Sequence, residues 1–343
     1  MSEQTKIEWA EHTGGPYLGC SPVSPGCANC YAWELAESRL EPIIRLAYRV
    51  ARFEDWQTRP VWGDKATRVL SRGFWDDARR INRKHEKNGT RGRWFPSMID
   101  WLDTMPGGII DQRGQKIDPA GVLADFLALI HDTPNLDWLL LTKRPELWQS
   151  RLVSVQAWYE AYYARTMDLN IPASGWVDRW RKGGEPSNVW IGVSVEDQQR
   201  ADERIPQLLQ IPARIRFLSV EPLLGLVDLS KWSGYTIANE NKLHASQSQQ
   251  PAITWCIIGG ESGPKARPSD VEWIRDVVRQ CKSAGVPCFV KQLGANVRAD
   301  PYGDHVFPLW AQDGTCRPLL KDRKGADPSE WPEELRVREF PRS

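Results

Sequence analysis

The sequence has almost no surplus charge, since 45 Lys and Arg residues face 44 Asp and Glu residues and the formal net charge is +1. This balance gives no general attraction to nucleic acid or to anionic membranes, so either role requires a local basic surface. The sequence also has no run of about eighteen apolar residues, and its Met-Ser-Glu-Gln-Thr-Lys start has no apolar segment. We therefore expect a cytoplasmic protein with no membrane partner.

Two common nucleotide-binding signatures are missing, because neither a Walker loop nor a Rossmann glycine fingerprint occurs. Histidine is also scarce, and the five histidines mostly lie away from the ends of the predicted strands. This placement leaves no plausible Ser/His/Asp triad. Phosphate cradles of these two kinds and serine-hydrolase chemistry are therefore not expected.

Cysteine is sparse except in one loop, where three of the seven cysteines fall within eleven residues. Cys27 and Cys30 form a C-x2-C pair, and Pro22 and Pro25 stiffen the gap back to Cys20. In a reducing compartment such a loop favours a metal centre over disulfide bonds. The remaining cysteines are expected to be reduced thiols without a metal: Cys256, Cys281, Cys288 and Cys316.

Three thiol ligands leave a metal centre one ligand short, which gives an open and reactive site. On zinc, three protein ligands and a water form the catalytic arrangement. On a four-iron, four-sulfur cluster, three cysteines leave one iron free to hold a substrate or a cofactor. The spacing of the cysteines does not choose between zinc and an iron–sulfur cluster.

Short apolar runs alternate with helix-length amphipathic segments, which predicts an α/β fold built on parallel strands. Six strands are predicted, at residues 93–98, 136–142, 188–194, 214–220, 253–259 and 286–291. Helices are predicted at residues 33–54, 118–132, 201–210 and 268–284. The pattern indicates a partial or full (β/α) TIM-like barrel of parallel strands with right-handed crossovers.

We expect one barrel domain over residues 1–343, with a core at about residues 7–294. Residues 146–186 and 229–251 interrupt the strand rhythm and are interpreted as insertions in this domain. Residues 295–343 are rich in Pro, Asp and Arg, and we expect them to wrap over the surface.

Polar residues follow the predicted strands, and in a parallel barrel these strand ends share the rim that carries the active site. The charged residues predicted to be catalytic are Lys143, Arg144, Glu196, Glu221 and Lys291. The residues predicted to bind a cofactor are Gly259, Gly260, Glu261, Ser194 and Ser219. The glycines allow the backbone to approach a ligand closely, and the Glu261 carboxylate can hold a ribose hydroxyl or an amino group.

The most basic run, Arg79-Arg80-Ile81-Asn82-Arg83-Lys84, lies in the Trp- and Arg-rich region 56–94. It has two interpretations: the solvated face of a helix, or a surface that contacts nucleic-acid phosphates. Most of the eighteen tryptophans are expected in the core, and only a minority would be available to stack on bases.

Six blocks of the sequence resemble an uncharacterised family of phage and bacterial proteins, known only as phage proteins of unknown function. The blocks are Trp9 and residues 19–32, 141–146, 189–196, 216–225 and 258–263. The resemblance runs from about residue 7 to about residue 294. It names a family but no reaction.

The cysteine loop and the strand rhythm also resemble the radical S-adenosylmethionine (radical SAM) superfamily. This resemblance implies a 4Fe–4S cluster held by Cys20, Cys27 and Cys30, with S-adenosylmethionine on the free iron. An external electron donor would then drive cleavage of S-adenosylmethionine to methionine and a deoxyadenosyl radical. The superfamily usually has a C-x3-C-x2-C spacing, whereas the first gap here has six residues. The segment 259–261 resembles the superfamily's glycine-rich segment, which holds the amino group of the methionine moiety.

The leading interpretation is a radical SAM-type enzyme whose substrate is a DNA or RNA base. A zinc-dependent hydrolase or deaminase is the first alternative, with Glu196 or Glu221 as the general base, although the H-x-E signature is missing. The second alternative is a nucleic-acid-binding protein whose cysteines form a structural metal clip. Such a clip needs a fourth ligand, for which His12 is the candidate.

Overall fold

The computed structural model describes residues 5, 7–35, 62–63, 65–167, 172–233, 253–298 and 320–341. Its strands are β1 (His12–Thr13), β2 (Tyr17–Leu18), β3 (Arg68–Leu70), β4 (Gly92–Phe95), β5 (Ile109–Ile110), β6 (Lys116–Ile117), β7 (Leu136–Thr142), β8 (Val189–Ser194), β9 (Ile215–Val220), β10 (Trp255–Gly259), β11 (Ser269–Asp270), β12 (Cys288–Gln292) and β13 (Val297–Arg298). Its helices are α1 (Tyr31–Leu35), α2 (Phe74–Asn88), α3 (Pro119–Asp132), α4 (Trp148–Thr166), α5 (Pro172–Arg181), α6 (Gln198–Gln210), α7 (Ser230–Ser233) and α8 (Val271–Ala284).

Seven strands form the main sheet, in the order β1-β4-β7-β8-β9-β10-β12. The pairs β1–β4, β4–β7, β9–β10 and β10–β12 are parallel. Each strand of this set lies beside the one that follows it in the chain, which is the sequential winding of a (β/α) barrel. Because β1 and β12 are edges, the sheet formed by the described residues is open. The predicted α/β fold, with a partial barrel of parallel strands, is confirmed.

All six predicted strands are present in this sheet. The strand at Leu136–Thr142 begins and ends where it was predicted. β4 ends at Phe95 and β12 begins only at Cys288, because Pro96 and Pro287 have no N–H group to donate to a neighbouring strand. The edge strand β1 was not predicted, since two residues are too few to show an apolar pattern.

Capping explains where the predicted helices begin and end. Asp118 accepts a hydrogen bond from Ala120 N at the start of α3, and Pro119 occupies the first turn. α8 ends at Gly285, whose φ of 66° lies in the left-handed region that favours glycine. α6 begins three residues earlier than predicted, because Asp197 accepts from Arg200 N at 2.8 Å. Of the helices predicted at 33–54, only the part within α1 lies among the described residues.

The chain forms two compact units. The first comprises Met1–Ile191 and Ile211–Arg214, and the second comprises Gly192–Gln210 and Ile215–Ser343. That all 343 residues form one domain stays a prediction.

An aromatic cluster forms the core of the first unit. The rings of Trp94 and Trp138, on neighbouring strands, lie 5.5 Å apart, and Phe74 of α2 contacts both. A second sheet, in the order β2-β3-β5-β6, packs around Tyr17 and Met105. The expectation that tryptophans mainly fill the core is confirmed for the described residues, where most of them are buried.

In the second unit, residues 320–341 are anchored to the main sheet. Val290 N of β12 donates to Val337 O at 2.8 Å, and Trp255 Nε1 donates to Glu339 O at 2.8 Å. Trp331 and Leu335 are buried, so this segment contributes to the core as well as covering it. In the part of the chain that the structure describes, no helix has both the length and the apolar character needed to cross a membrane.

Candidate functional site

The cysteine loop consists of consecutive tight turns. Pro25 opens a 3₁₀ turn, Pro25–Cys27, in which Cys27 N donates to Ser24 O at 2.9 Å. The fixed φ of proline suits the first position of such a turn. Cys30 N then donates to Cys27 O at 3.3 Å, and α1 begins at the next residue, Tyr31. The predicted junction of the loop with a helix is confirmed.

Two consecutive cations bring positive charge to two of the three sulfurs. Lys143 and Arg144 follow the last residue of β7 directly. Arg144 Nη1 donates to Cys20 Sγ at 3.7 Å. The positive charge of Lys143 acts on Cys30. The end of β7 therefore places one hydrogen-bonding cation at Cys20, and the charge of a second acts on Cys30, within the first unit.

The carboxylate of Asp100 fixes this strand end. One oxygen accepts from Arg144 Nη1 at 2.8 Å and from Lys143 N at 2.9 Å. The other accepts from Thr142 Oγ1 at 2.7 Å and from Leu102 N at 3.1 Å. A buried carboxylate needs such partners, and here it orients the guanidinium of Arg144 and holds the backbone of Lys143.

A second buried ion pair holds the backbone of the loop. Arg144 Nη2 donates to Ser21 O at 2.5 Å, and Arg68 Nη2 donates to Ser21 Oγ at 2.6 Å. Arg68 also donates from Nε to Asp103 Oδ2 at 2.8 Å, and both of these side chains are buried. Two arginines thus clamp the residue that follows Cys20.

Burial dominates the acid–base behaviour of two of the thiols. Burial, reinforced by the charge of Asp100, raises the pKa of Cys20 to about 12, although Arg144 opposes the rise. Burial also raises the pKa of Cys30, while the N–H groups of Trp33 and Ala32 act to lower it. Burial acts to lower the pKa of Arg144, but Asp100, Cys20 and Asp103 raise it above its ordinary value. Both thiols are therefore protonated near neutral pH unless a metal replaces the proton.

The donors of the loop fit a thiolate-ligated metal or cluster. Thiolates are the ligands of zinc and of iron–sulfur clusters, and Arg144 at Cys20 and the charge of Lys143 at Cys30 act in favour of the thiolate, against burial. Within the described ranges, however, no group of three or more His, Cys, Asp or Glu side chains is arranged to hold a metal ion.

His12, the candidate fourth ligand of a structural clip, has another partner. His12 Nε2 lies 3.1 Å from His85 Nε2, and the His12 ring packs against Trp94. His85 in turn contacts Thr90 through Nδ1 at 2.8 Å. This contact directs the His12 imidazole toward α2.

The second unit holds a partly buried ion pair at the end of β9. Lys291 Nζ donates to Glu221 Oε1 at 2.5 Å, and these side chains are 20% and 16% exposed. Gln292 Nε2 lies 3.4 Å from the same carboxylate oxygen and donates to Gly260 O at 2.8 Å. Of the predicted catalytic residues, Glu221 and Lys291 are therefore brought together, and Lys291 lies within β12 instead of beyond its end.

Two other predicted carboxylates are engaged by arginines of the same unit. Glu196 is fully buried and accepts from Arg204 Nη1 at 2.7 Å. Glu261 accepts from Arg267 through Nε at 3.0 Å and Nη2 at 2.6 Å, and also from its backbone N–H at 2.8 Å. These contacts hold the turns after β8 and β10, so both carboxylates have structural partners.

The predicted cofactor-binding glycines differ in their surroundings. A Cβ atom on Gly260 would lie 2.1 Å from Leu293 O, whereas one on Gly259 would meet nothing closer than 3.3 Å. Glycine at 260 is therefore required by the neighbouring backbone. Ser194 and Ser219 lie in β8 and β9 and are buried.

The remaining described cysteines lie in the core of the second unit. Cys256 and Cys288 are opposite each other on β10 and β12, and both thiols act on the pKa of Cys281 of α8, which is raised above its ordinary value. All three are buried, as expected of structural thiols. Cys316 lies outside the described residues.

Four residues of these sites were not singled out from the sequence: Arg68, Asp103, Arg204 and Arg267. Asp103 follows Asp100, a residue just beyond the predicted strand 93–98, by three positions, a spacing that could have indicated a pair of carboxylates. Arg68 is 35 positions from its partner Asp103, so no local pattern indicates that contact. From the sequence alone, Arg204 and Arg267 look like ordinary surface residues of a helix and of a loop.

Comparison with known proteins gives a family but no activity. No curated protein and no solved structure matches the chain. A family model described as a protein of unknown function (DUF5131) matches residues 4–330. Because this match covers nearly the whole chain, the protein belongs to the DUF5131 family, as the resemblance to an uncharacterised family predicted.

Proposed function

We propose that this protein is an iron–sulfur enzyme of the radical SAM type, with Cys20, Cys27 and Cys30 as the cluster ligands. The observation that carries the proposal is the hydrogen bond from the buried Arg144 guanidinium to the Cys20 sulfur at 3.7 Å. Thiolate clusters are anionic, and hydrogen bonds and charge at the sulfurs set their potential. When bound, such a cluster supplies an electron for the reductive cleavage of S-adenosylmethionine.

The residues of the chain bind and orient in this proposal. Arg144 holds Ser21 O and Cys20 Sγ at once, so it fixes the position of the first ligand. Asp100 anchors the guanidinium of Arg144 and accepts a hydrogen bond from the backbone N–H of Lys143, so it fixes the backbone that carries both cations. In the second unit, the partly buried pair Glu221–Lys291 offers one carboxylate and one ammonium as polar contacts for a ligand.

The proposal includes a cytoplasmic location, an external electron donor and a nucleic-acid base as the substrate. A reduced cluster with an open iron is sensitive to oxygen, which favours a reducing compartment. The proposal gives no role in electron supply to the cysteines outside the loop, which are Cys256, Cys281, Cys288 and Cys316. The electron therefore comes from another protein or from a small-molecule reductant. The substrate class is taken up in the next subsection.

A zinc hydrolase is the second candidate, because three thiolates and a water also form a catalytic zinc site. The two carboxylates considered as its general base, Glu196 and Glu221, differ in solvent exposure. Glu196 is fully buried against Arg204, whereas Glu221 is partly exposed beside Lys291. Glu221 is therefore the better candidate for the general base in that mechanism.

The test is the metal content of protein purified without oxygen. We expect about four irons and four sulfides per chain for the wild type, following from a 4Fe–4S cluster. Cys20→Ser, Cys27→Ser and Cys30→Ser should each lose the iron. Cys281→Ala is the matched control, because it removes a thiol of the second unit and should retain the iron. One zinc per chain without iron would overturn the proposal and favour the hydrolase.

A further inference from the structure

Helix α2 (Phe74–Asn88) carries a basic stripe along its exposed side. Its buried side consists of Phe74, Ala78, Ile81 and Asn82, which pack into the first unit. Residues 79–88 on the rest of the helix include five cationic side chains and one carboxylate. The exposed cations are Arg79, Arg80, Arg83, Lys84 and Lys87. A segment with this surplus stands out in a chain whose formal net charge is only +1.

Two of these cations interact with carboxylates, and among the described residues no such interaction is recorded for the other three. Arg80 pairs with Asp77 at 3.0 Å, and the charge of Arg79 acts on Asp125. Arg83, Lys84 and Lys87 form no hydrogen bond or ion pair with any residue that the structure describes. The carboxylates of the helix are mostly in its first turn, at Asp76 and Asp77, where they favour the helix dipole. The last two turns therefore carry three cations, Arg83, Lys84 and Lys87, against one carboxylate, Glu86.

The stripe has the geometry of a linear polyanion site. Arg79, Arg83 and Lys87 are four residues apart, so their Cα atoms follow one side of the helix over about 12 Å. Duplex nucleic acid carries one phosphate per roughly 1.7 Å of its axis, so a stripe of this length spans several phosphates. Arginine and lysine are also the residues that contact phosphate most often.

A lipid surface fits the stripe less well. A helix that binds a membrane directs apolar side chains into the lipid beside its cations. The apolar side of α2 is buried in the core of its unit. Among the described residues, the exposed large hydrophobic side chains are Val23, Tyr31, Val153, Tyr163, Met167 and Leu226. All of them lie outside α2, so the stripe offers charge without apolar anchors.

We propose that the exposed side of α2, with Arg83, Lys84 and Lys87 at its centre, binds the phosphodiester backbone of a nucleic acid. The inference rests on the proposed function only in that it names the class of substrate. Binding to phosphates involves neither the cysteine loop nor a cluster. Failure of one proposal is therefore distinguishable from failure of the other.

The test is the binding of fluorescein-labelled single-stranded RNA, single-stranded DNA and duplex DNA, measured by anisotropy. Three phosphate contacts predict that log Kd changes with log salt with a slope of about 3 for duplex DNA between about 50 and 200 mM salt. Arg83→Glu/Lys87→Glu should weaken binding at least tenfold at the low-salt end and reduce the slope by about 2. Comparing the three probes identifies which nucleic acid is preferred.

The matched control is Arg279→Glu/Lys282→Glu on α8. These exposed cations lie in the last two turns of a helix, and Lys282, like Lys87, is in the last turn. The net charge changes equally, but α8 also carries acidic partners of Arg279, Asp276 and Glu272. The control should keep the wild-type affinity and slope, and circular dichroism of both variants should match the wild type.

Equal losses of nucleic-acid affinity in the two double variants would overturn the proposal, because they would show that only the net charge of the protein matters. Absence of binding by the wild type at about 50 mM salt would also overturn it. Binding to anionic phosphatidylserine vesicles, with no binding to any of the three oligonucleotides, would assign the stripe to a membrane and would overturn it as well.

Discussion

The guanidinium of Arg144 lies 3.7 Å from the sulfur of Cys20, across 124 positions of the sequence. The same guanidinium donates to the backbone of Ser21 and to Asp100. One buried side chain thus connects the cysteine loop to the end of a central strand. A cation in this position stabilises a thiolate ligand and at the same time fixes where the ligand lies.

Replacement of Arg144 should destabilise the first unit. Arg144→Met leaves Asp100 buried without its cation, and losing one partner of a buried pair costs about 3–5 kcal/mol of unfolding free energy. Arg144→Lys should cost less, because it keeps the charge but cannot reach all three partners. Urea unfolding followed by tryptophan fluorescence measures both.

The control for that prediction is Arg80→Met, which removes an exposed arginine paired with Asp77. Exposed pairs contribute about 0–1 kcal/mol, so this variant should unfold close to the wild type. Equal destabilisation by the two methionine variants would contradict the role given to Arg144.

The rate at which Cys20 is alkylated in the metal-free protein should reflect its raised pKa. Because burial raises the pKa of Cys20 from 9.0 to about 12, its thiolate fraction at pH 8 falls roughly a thousandfold. Iodoacetamide should therefore modify Cys20 far more slowly in folded protein than in urea, as measured by peptide mass spectrometry. Fast modification in the folded state would show that the thiol is solvated.

The raised pKa of Cys20 also sets the direction in which the stability of the folded, metal-free protein changes with pH. The folded state favours the protonated Cys20, so its contribution is complete below pH 9.0, the ordinary thiol pKa. Above that pH the unfolded chain loses the proton more readily, and stability falls until the pH passes about 12. Metal-free Cys20→Ala should lack this part of the alkaline loss, as measured by unfolding at pH 8 and pH 10.

Alanine substitution should lower the melting temperature more at Gly260 than at the neighbouring Gly259. Gly260→Ala places a Cβ atom 2.1 Å from Leu293 O, which forces the backbone apart, whereas the Cβ atom of Gly259→Ala lies 3.3 Å from Gln292 O, a close contact that only a small shift relieves. We expect Gly260→Ala to lower the melting temperature clearly and Gly259→Ala to change it little. Similar melting temperatures for both would mean that the backbone at Leu293 moves freely.

The fold could be predicted from the sequence because apolar runs report burial directly. Leu136–Thr142 is apolar at nearly every position, and the strand occupies those residues. Asp118, Pro119 and Gly285 act within their own helices, so their signals are local as well. The edge strand His12–Thr13 is stabilised by pairing with β4, and a pairing between distant residues leaves no local pattern.

The candidate site could be predicted in part for the same reason. The spacing of Cys20, Cys27 and Cys30 is local, as is the position of Lys143 and Arg144 after a strand. The partners of the predicted carboxylates are set by packing, as for Glu196 with Arg204 of α6. Sequence reasoning located these charges at the strand ends, but it could not identify which of them neutralise each other.

The most direct measurement is electron paramagnetic resonance of anaerobically purified, dithionite-reduced protein before and after addition of S-adenosylmethionine. An open iron held by Cys20, Cys27 and Cys30 predicts the signal of a reduced 4Fe–4S cluster and a change in that signal when S-adenosylmethionine is added. A protein that contains stoichiometric zinc and gives no iron–sulfur signal would contradict the account.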